Sequence, residues 1–351
     1  MTKGEFMPQL DAKSLELINK TCKDKKHIKL TVGLLSGNER TIKTFGENGE
    51  IDNKNFTYEI GSITKTFTAS LLAKHVHKGS MSLDDSIAKY VDGLDPSRYY
   101  PTLRRLATHT AGYSSTLPFT RREYFALIIG LIRASESPGT LPFKLDFEKM
   151  RDLLETNKLK DKDYNWRYSN FGMALLGYAI GVASGAGYHA SMGDFLTTEL
   201  GLSHTFTSAN PGRLITGYTR KNVDCGNWIW GDDLTAPAGD ISSTADDLLT
   251  YAAINMHELR PYLAMCHQKN ADVNSMLFKS SNMGLGWLIR KDNSNIIWHN
   301  GGTGAFSSYL GIDKNRKCAV VVLANYRIDP NSIGETIFKG QINKVNTKEK
   351  I

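Results

Sequence analysis

The tetrapeptide Ser62-Ile63-Thr64-Lys65 stands at the head of an apolar run, ITKTFTASLLAKHV. The run favours a buried helix from Ser62 to about His77, which Lys78-Gly79 ends at its C-terminus. Residues three positions apart share one helix face, so the Lys65 amine can reach the Ser62 hydroxyl. The amine accepts the serine proton only if its pKa is lowered, and burial and the positive helix end both act in that direction. The pattern predicts an activated serine nucleophile.

Ser-x-x-Lys is a frequent tetrapeptide, and the chain contains a second copy from Ser86 to Lys89. Two further motifs distinguish the first copy by their order. Tyr168-Ser169-Asn170 follows about a hundred residues downstream, and His299-Asn300-Gly301-Gly302 lies near the C-terminus. Another His-x-Gly, beginning at His77, has a structural explanation as the end of the helix that carries Lys65.

With these motifs in this order, the chain resembles the superfamily of serine β-lactamases and penicillin-binding proteins, in particular its branch of class C β-lactamases and DD-peptidases. Other stretches carry the same resemblance. They are TYEIGSITKTFTA around Ser62, LRRLATHTAGYS from Leu103, APAGDISSTADDLLTY from Ala236 and MGLGW from Met283. The resemblance covers most of the chain and implies a serine hydrolase that works through an acyl-enzyme.

The expected fold class is α+β. Apolar alternation predicts two early strands, HIKLTVGLL and RTIKTFG, after a helix from Leu10 to Cys22, and three late strands, IIWHN, AFSSYLGI and CAVVVLAN. A final helix follows Pro330. This pattern predicts an antiparallel sheet built from both chain ends and flanked by terminal helices, with a mostly helical insert between. The resemblance implies the same β-lactamase/transpeptidase-like plan.

Chain length indicates two lobes, because 351 residues exceed the usual size of one compact domain. We expect a sheet lobe formed by residues 1–80 and 270–351, and a mostly helical lobe formed by residues 81–269. The resemblance places the active site between the lobes.

Charge and cysteine usage argue against several classes of protein. The net charge of +7 comes from dispersed lysines, not from a basic cluster, which argues against nucleic acid as a partner. The cysteines lack metal-ligand spacing and predict neither a zinc site nor a disulfide scaffold; they are Cys22, Cys225, Cys266 and Cys318. No metal or other cofactor is implied. The expected partner is a small peptide, β-lactam or ester substrate, and the oligomeric state is left open.

The N-terminal segment MTKGEFMPQLDAKSLEL has no continuous apolar core and therefore shows no secretory signal. An extracytoplasmic location is expected if an export signal has been removed, and a cytoplasmic one if the chain is complete. The longest apolar run, YFALIIGLI from Tyr124 to Ile132, is too short to span a bilayer, so no transmembrane segment is expected. It is interpreted as a buried helix or pocket wall, with a surface-lying lid as the alternative.

The resemblance implies a role for each residue of the first two motifs. Ser62 attacks a carbonyl and forms an acyl-enzyme that water or another acceptor releases. Lys65 accepts the serine proton or holds the local field that lets another group do so. Tyr168 is the second proton-handling group, and a phenol near two cations is expected to have a lowered pKa. Asn170 grips a substrate amide, since its side chain both donates and accepts hydrogen bonds. The structural alternatives are a packed tyrosine and a turn asparagine.

His299 departs from the lysine that is commoner at this position in the superfamily. The ordinary histidine pKa near 6.5 makes a charge conditional at neutral pH, so we expect a pH profile with a limb near the titration of His299. Asn300 replaces a small hydroxyl residue, which weakens the expectation of a substrate-carboxylate contact there. Gly301 and Gly302 leave a strand edge without side chains, and the resemblance implies an oxyanion hole formed by the N–H groups of Ser62 and Gly302.

Two further residues have less specific interpretations. Arg290 could meet an anionic end of the substrate from the strand beside His299, with a solvated arginine as the alternative. His109, within the ATHTAG segment, is interpreted as a core or loop-fixing histidine.

Three hypotheses about function stay open. The first is hydrolysis of a D-alanyl peptide or related amide, as in a DD-carboxypeptidase. The second is a β-lactamase, esterase or acyltransferase with the same Ser-Lys-Tyr machinery, and the third is a non-catalytic binder of β-lactams or wall fragments. By resemblance, His-x-Gly is associated with peptide and ester chemistry more than with strong class C β-lactamases. A silent binder would be expected to lose Lys65 or Tyr168, and both are present.

Overall fold

A computed structural model describes residues 7–52, 55–113, 144–207, 214–275, 278 and 280–348, with side chains described as far as residue 341. The apolar run 124–132 lies outside the described residues, so its interpretation stays a prediction.

The main sheet takes its strands from both ends of the chain, as the sequence predicted. Its nine strands are β1 (Leu30–Ser36), β2 (Glu39–Gly46), β3 (Gly49–Ile51), β8 (Ala271–Asp272), β9 (Ser281–Met283), β10 (Leu288–Arg290), β11 (Ile296–Gly302), β12 (Ser307–Asp313) and β13 (Cys318–Ala324). They pair antiparallel in the order β3-β2-β1-β13-β12-β11-β10-β9-β8. Two small sheets pair β4 (Tyr58–Glu59) with β7 (Ser242–Ser243), and β5 (Gly217–Tyr218) with β6 (Asp224–Gly226).

Nine α-helices lie in the described parts of the chain. They are α1 (Ala12–Cys22), α2 (Thr64–His77), α3 (Leu103–Ala107), α4 (Phe147–Thr156), α5 (Asn170–Ser184), α6 (Tyr188–Asp194), α7 (Ala245–Met256), α8 (Leu263–Cys266) and α9 (Pro330–Lys348). The predicted terminal helices are therefore confirmed as α1 and α9. The division into two lobes stays a prediction, and helix α7, from the range assigned to the helical lobe, packs against β1 and β13 of the sheet.

Strand β13 reads CAVVVLA, and all seven of its residues are buried because helices cover both faces of the sheet. Successive side chains of a strand point to opposite faces. Val320 and Val322 belong to the core cluster that also contains Ile333 of α9, whereas Val321 belongs to the larger cluster that contains Leu248 of α7. The central strand thus joins two hydrophobic cores.

The predicted nucleophile helix is present, with one difference at its start. Residues Gly61–Ile63 form a 3₁₀ turn, and the α-helix α2 begins at Thr64. Every side chain from Thr64 to Ala73 is buried, so α2 is a central helix enclosed on all sides. Lys78 caps the helix, and Gly79 follows in a left-handed conformation with φ +73°, which confirms the predicted stop.

No single helix of the described ranges is long and apolar enough to cross a membrane. Two helical stretches, Asn170–Ser184 and Tyr188–Glu199, reach the length and apolar composition of a membrane span only when they are joined, and a bend of 78° separates them.

Gly286, in the segment MGLGW, lets a loop approach the back of α2. Its φ is +69°, and a Cβ atom there would lie 2.6 Å from the carbonyl oxygen of Lys65. Gly79 has a similar φ of +73° but has nothing within 4 Å of a built Cβ. We expect Gly79→Ala to lower the free energy of unfolding by about 1 kcal/mol through backbone strain alone. Gly286→Ala should cost about 1 to 3 kcal/mol more, because the added methyl overpacks the core.

Urea denaturation of both variants and the wild type measures this difference. Equal losses of unfolding free energy would contradict the tight contact between the Gly286 loop and α2.

Candidate active site

Ser62 lies in the 3₁₀ turn before α2, where its side chain is half-buried. Gly61 brings this turn against strand β11. Its φ is +51°, and a Cβ there would lie 2.6 Å from the backbone nitrogen of Gly302. Only glycine tolerates both the left-handed conformation and the close approach. The sequence Gly61-Ser62 therefore places the hydroxyl at the strand edge.

Lys65 is fully buried one turn further along. Its Nζ donates to Ser62 Oγ at 3.0 Å and to the carbonyl oxygen of Ala238 at 2.7 Å. Burial holds the pKa of the amine well below its ordinary value of 10.5, which confirms the predicted direction. A neutral amine has a lone pair, so rotation of the serine hydroxyl allows Lys65 to take its proton.

The carbonyl group of Ala238 is a part of the site that sequence reasoning missed. It belongs to the 3₁₀ turn Ala236–Ala238, and the adjacent carbonyl of Pro237 accepts a hydrogen bond from Thr68 Oγ1 at 2.9 Å. In the sequence, the segment APAG carries the family resemblance but no sign of a contact with Lys65. A main-chain acceptor has no side-chain signature, so only the folded chain shows that this turn fixes the position of the lysine amine.

Tyr168 closes the site above Lys65. The Lys65 Nζ lies 4.7 Å from the centroid of the Tyr168 ring, and the phenol hydrogen-bonds Ser62. Burial raises the pKa of this phenol, and the bond to Ser62 only partly opposes the shift. The expectation of a lowered pKa is therefore wrong, because burial outweighs the neighbouring lysine, which itself loses its charge. Tyr168 stays protonated and can donate or relay a proton.

His299 lies on β11 beside Tyr168, with 6.4 Å between the two ring centroids. It is buried, and its Nδ1 donates to the carbonyl oxygen of Asn300 at 2.6 Å, since a carbonyl can only accept. Burial, together with any charge on Lys65, lowers the pKa of His299 to about 3. The structure therefore does not support the ordinary pKa on which the expected limb rests, because burial favours the neutral imidazole.

The end of β11 forms one wall of the site. Strand β12 pairs with β11 as far as Gly302, but β10 pairs only with Ile297 and Trp298. Beyond these residues the second edge of β11 is not paired with β10. A Cβ at Gly301 would lie 2.0 Å from the carbonyl oxygen of Ile60 and 2.8 Å from the Ser62 nitrogen. Gly61 and Gly301 thus let the nucleophile turn pack against the strand, with the backbone nitrogens of Ser62 and Gly302 close by.

A cleft of about 580 Å³ opens at this wall. It is lined by Ser62, Trp166, Arg167, Tyr168, Asn274, Ser275, Phe278, Asn300, Gly301, Gly302, Ser307, Arg327, Ile328 and Pro330. Lys65 and His299 lie buried behind this lining. Asn170 begins α5 and is half-buried, but it is not one of the lining residues.

His109 packs on the far side of Tyr168, with 4.8 Å between the ring centroids. Its φ is +59°, and its Nδ1 accepts the N–H of Ser169 at 3.3 Å. Burial lowers the pKa of His109 well below its ordinary value, so the ring is neutral. These contacts agree with the interpretation of a loop-fixing histidine, one that holds the segment carrying Tyr168.

The remaining candidate, Arg290, forms ion pairs within the protein. Arg290 is bound to Asp292 at 2.6 Å and Glu335 at 3.3 Å, and it does not line the cleft, so the hypothesis that it meets the substrate is not supported.

The second Ser-x-x-Lys copy lies on the surface. Ser86 Oγ donates to the carbonyl of Tyr100 at 3.1 Å, while Lys89 pairs with Asp85 at 3.0 Å with an exposed fraction of 57%. In the described ranges no group of three or more His, Cys, Asp or Glu side chains could hold a metal ion.

Comparison with known proteins identifies the family to which the chain belongs. The model of the Beta-lactamase family matches residues 44–337, so the chain is a member of the Beta-lactamase family. It is 24% identical over 313 residues to a β-lactamase of Pseudomonas fluorescens, covering 78% of this chain and 80% of that protein. It is 26% identical over 325 residues to the D-alanyl-D-alanine-carboxypeptidase/endopeptidase AmpH of Escherichia coli K12, covering 82% and 77%.

Solved structures show the same fold. The octameric penicillin-binding protein homologue from Pyrococcus abyssi superposes with a TM-score of 0.73 at 22% identity, covering 92% of this chain and 75% of that one. A class C β-lactamase from Rhodobacter sphaeroides superposes with a TM-score of 0.72 at 21% identity, covering 95% and 98%. The chain therefore has the α+β β-lactamase/transpeptidase fold.

The buried amine of Lys65 should make stability depend on pH. Between its lowered pKa and the ordinary value of 10.5, the unfolded chain binds a proton at this lysine and the folded chain does not. The free energy of unfolding of the wild type should therefore rise with pH relative to Lys65→Met, by at most about 1.4 kcal/mol per pH unit. Urea titrations of both proteins at several pH values measure the difference. A difference that is independent of pH below 10 would mean that the amine is charged in the folded state.

Proposed function

We propose that this protein is a serine hydrolase that forms an acyl-enzyme at Ser62 and acts on a D-alanyl peptide or related amide. The observation that carries the proposal is the buried amine of Lys65, 3.0 Å from Ser62 Oγ with a pKa held well below 10.5. An uncharged lysine beside a serine hydroxyl is a general base for nucleophilic attack.

Acylation begins when Lys65 takes the hydroxyl proton and Ser62 Oγ bonds to the carbonyl carbon of the substrate. The negative charge that develops on the carbonyl oxygen is accepted by the N–H groups of Ser62 and Gly302, and such donors are worth about 3 kcal/mol each. Tyr168 then passes a proton to the leaving nitrogen as the carbon–nitrogen bond breaks. The proton carried by Lys65 returns to the phenol, and water releases the acyl group by the reverse sequence.

His299 has a positioning role in this scheme. Its Nδ1–H holds the carbonyl of Asn300, at 2.6 Å, and so orients the strand edge that ends in Gly301 and Gly302. The imidazole is uncharged at neutral pH because burial lowers its pKa to about 3. Asn300 lines the cleft and presents an amide to the substrate. Asn170, at the start of α5, is proposed as a second amide contact once substrate is bound.

Peptide hydrolysis is preferred because His299 replaces the lysine typical of strong β-lactamases. The likeness to AmpH, named as a D-alanyl-D-alanine carboxypeptidase/endopeptidase, supports this choice. The second candidate is a β-lactamase, esterase or acyltransferase with the same three residues, and the likeness to the Pseudomonas fluorescens β-lactamase favours it. A non-catalytic binder is less compatible with the Lys65 amine 3.0 Å from Ser62 Oγ and with the Tyr168 phenol bonded to the same serine.

The two Ser-x-x-Lys copies form a matched pair of variants. We expect Ser62→Ala to abolish covalent labelling by a penicillin and hydrolysis of N-acylated D-alanyl-D-alanine, a loss of at least about 1000-fold, because the nucleophile is removed. Ser86→Ala should retain both reactions, since Ser86 Oγ bonds only main-chain groups, the Tyr100 carbonyl and the N–H of Ala88, away from the cleft. Intact-protein mass and release of D-alanine measure the outcome. Labelling that survives in Ser62→Ala would exclude Ser62 as the nucleophile.

The activity should depend on pH through Lys65, not His299. As pH rises through the lowered pKa of Lys65, the fraction of neutral base increases, so kcat/KM should increase and then level off. His299→Gln should change the level of kcat/KM but keep the shape of the profile between about pH 5 and 8. Steady-state rates of both proteins across this range test the statement. A limb in the wild type that disappears in His299→Gln would show that the imidazole titrates.

A further inference from the structure

Helix α2 contacts the turn Ala236–Ala238 through two side chains on one face. Lys65 Nζ donates to the carbonyl oxygen of Ala238 at 2.7 Å, and Thr68 Oγ1 donates to the preceding carbonyl, that of Pro237, at 2.9 Å. Lys65 and Thr68 are three positions apart and therefore lie on the same side of the helix. Thr68, like Lys65, is fully buried. Two successive carbonyls of the turn are thus bound from the same helix face.

The hydroxyl of Thr68 has a second partner, which sets the direction of the hydrogen bonds. Tyr188, the first residue of α6, places its hydroxyl 2.7 Å from Thr68 Oγ1. The threonine hydroxyl has a single proton and the Pro237 carbonyl can only accept, so both bonds form when Tyr188 donates to Thr68. Burial, together with the charge of Asp240, raises the pKa of Tyr188, and the phenol keeps the proton that it donates. The hydrogen bonds run from Tyr188 through Thr68 to Pro237.

Packing supports the turn on one side and leaves it open on another. Gly177 of α5 lies so close to Pro237 that a Cβ at the glycine would overlap the proline ring. Away from α5, a second cavity of about 450 Å³ is lined in part by Tyr188, Ala236 and Pro237. Hydrogen bonds are directional, whereas apolar packing is not. The chain of hydrogen bonds therefore decides where the carbonyls of the turn point.

The position of the Ala238 carbonyl matters because it holds the amine that acts on Ser62. The Lys65 Nζ lies 3.0 Å from Ser62 Oγ, and proton transfer requires that this distance be kept. A displaced turn would move one of the two hydrogen-bond partners of the amine. Displacements of about 1 Å at a reacting group are enough to slow catalysis strongly.

We propose that Thr68 and Tyr188 are positioning residues for the amine of Lys65, and that they act by fixing the turn Ala236–Ala238. For its effect on rate, the inference rests on the proposed function. Neither residue is among those that line the cleft, so an effect on the reaction must pass through the turn.

The same helix provides a matched control on another face. The hydroxyl of Tyr251 donates to Thr66 Oγ1 at 3.3 Å and lies 3.2 Å from Ser70 Oγ, while Thr66 Oγ1 donates to the carbonyl oxygen of Ile63 at 2.8 Å. Tyr251 is fully buried. This second tyrosine–threonine chain ends on the backbone at the start of α2, not on the turn Ala236–Ala238. Tyr251→Phe therefore removes a buried phenol hydroxyl bound to α2 and leaves the contacts of the turn intact.

The first measurement is kcat/KM with benzylpenicillin or N-acylated D-alanyl-D-alanine, whichever the wild type turns over. Thr68→Val keeps the shape of the side chain but removes both hydrogen bonds, and should lower kcat/KM by about 10- to 100-fold. Tyr188→Phe should lower it by about 3- to 10-fold, because Thr68 still binds Pro237. Thr68→Ser retains the hydroxyl and should recover most of the loss. Tyr251→Phe should stay close to the wild-type value, and thermal melting verifies that each variant folds.

The second measurement is the titration of the Lys65 amine, followed by carbon NMR of its Cε atom without substrate. Lys65 should titrate at a higher pH in Thr68→Val than in the wild type, because a loosened turn admits water to the amine. The other titratable groups that face the amine are the same in every variant; they are His109, Tyr168 and His299. A purely structural role of Thr68 would lower the melting temperature without moving this titration.

Equal falls of kcat/KM in Thr68→Val and Tyr251→Phe would overturn the inference. So would a Thr68→Val protein whose Lys65 titrates as in the wild type. If the wild type reacts with neither substrate, the proposed function fails, whereas the NMR comparison still decides whether Thr68 positions the amine.

Discussion

The site depends on one amine enclosed in the centre of the molecule. Taking Lys65 out of water disfavours its charged form, and the carbonyl of Ala238 with the hydroxyl of Ser62 are the hydrogen-bond partners that hold it there. Helix α2 is buried on all sides over Thr64–Ala73. This burial keeps water away from the amine, and water would otherwise stabilise its charged form. The packing that stabilises the fold is therefore also what lowers the pKa of the lysine amine.

A second constraint is the contact between the nucleophile turn and the end of β11. Gly61 and Gly301 lack side chains where a Cβ would overlap the opposite backbone, and the left-handed φ of Gly61 turns the Ser62 nitrogen toward the strand. The carbonyl of Ile60 accepts from Ser308 Oγ at 2.7 Å and fastens the turn to β12. On the same wall, His299 Nδ1 donates to the carbonyl of Asn300, and burial lowers the pKa of His299 so that its imidazole carries no charge at neutral pH.

Much of the fold could be predicted from the sequence, because the apolar alternation of β11, β12 and β13 and the enclosed helix after Ser62 are local patterns. The meeting of Ser62, Lys65 and Tyr168 was anticipated from motif order. The sequence does not predict the pKa values of Tyr168 and His299. Nearby cations suggest a lowered value for the phenol and the ordinary value is expected for the imidazole, but burial dominates both shifts. The Ala238 carbonyl and the hydrogen bonds from Tyr188 through Thr68 to Pro237 depend on contacts between distant segments, which no short motif records.

The most direct test of the account is the protonation state of the Lys65 amine. Carbon NMR of protein labelled at the lysine Cε positions, with the Lys65 signal assigned by its loss in Lys65→Met, follows each amine against pH. We predict that Lys65 titrates well below the value near 10.4 that is ordinary for lysine. A Lys65 signal that titrates together with the surface lysines would contradict the central claim that burial converts this amine into the base for Ser62.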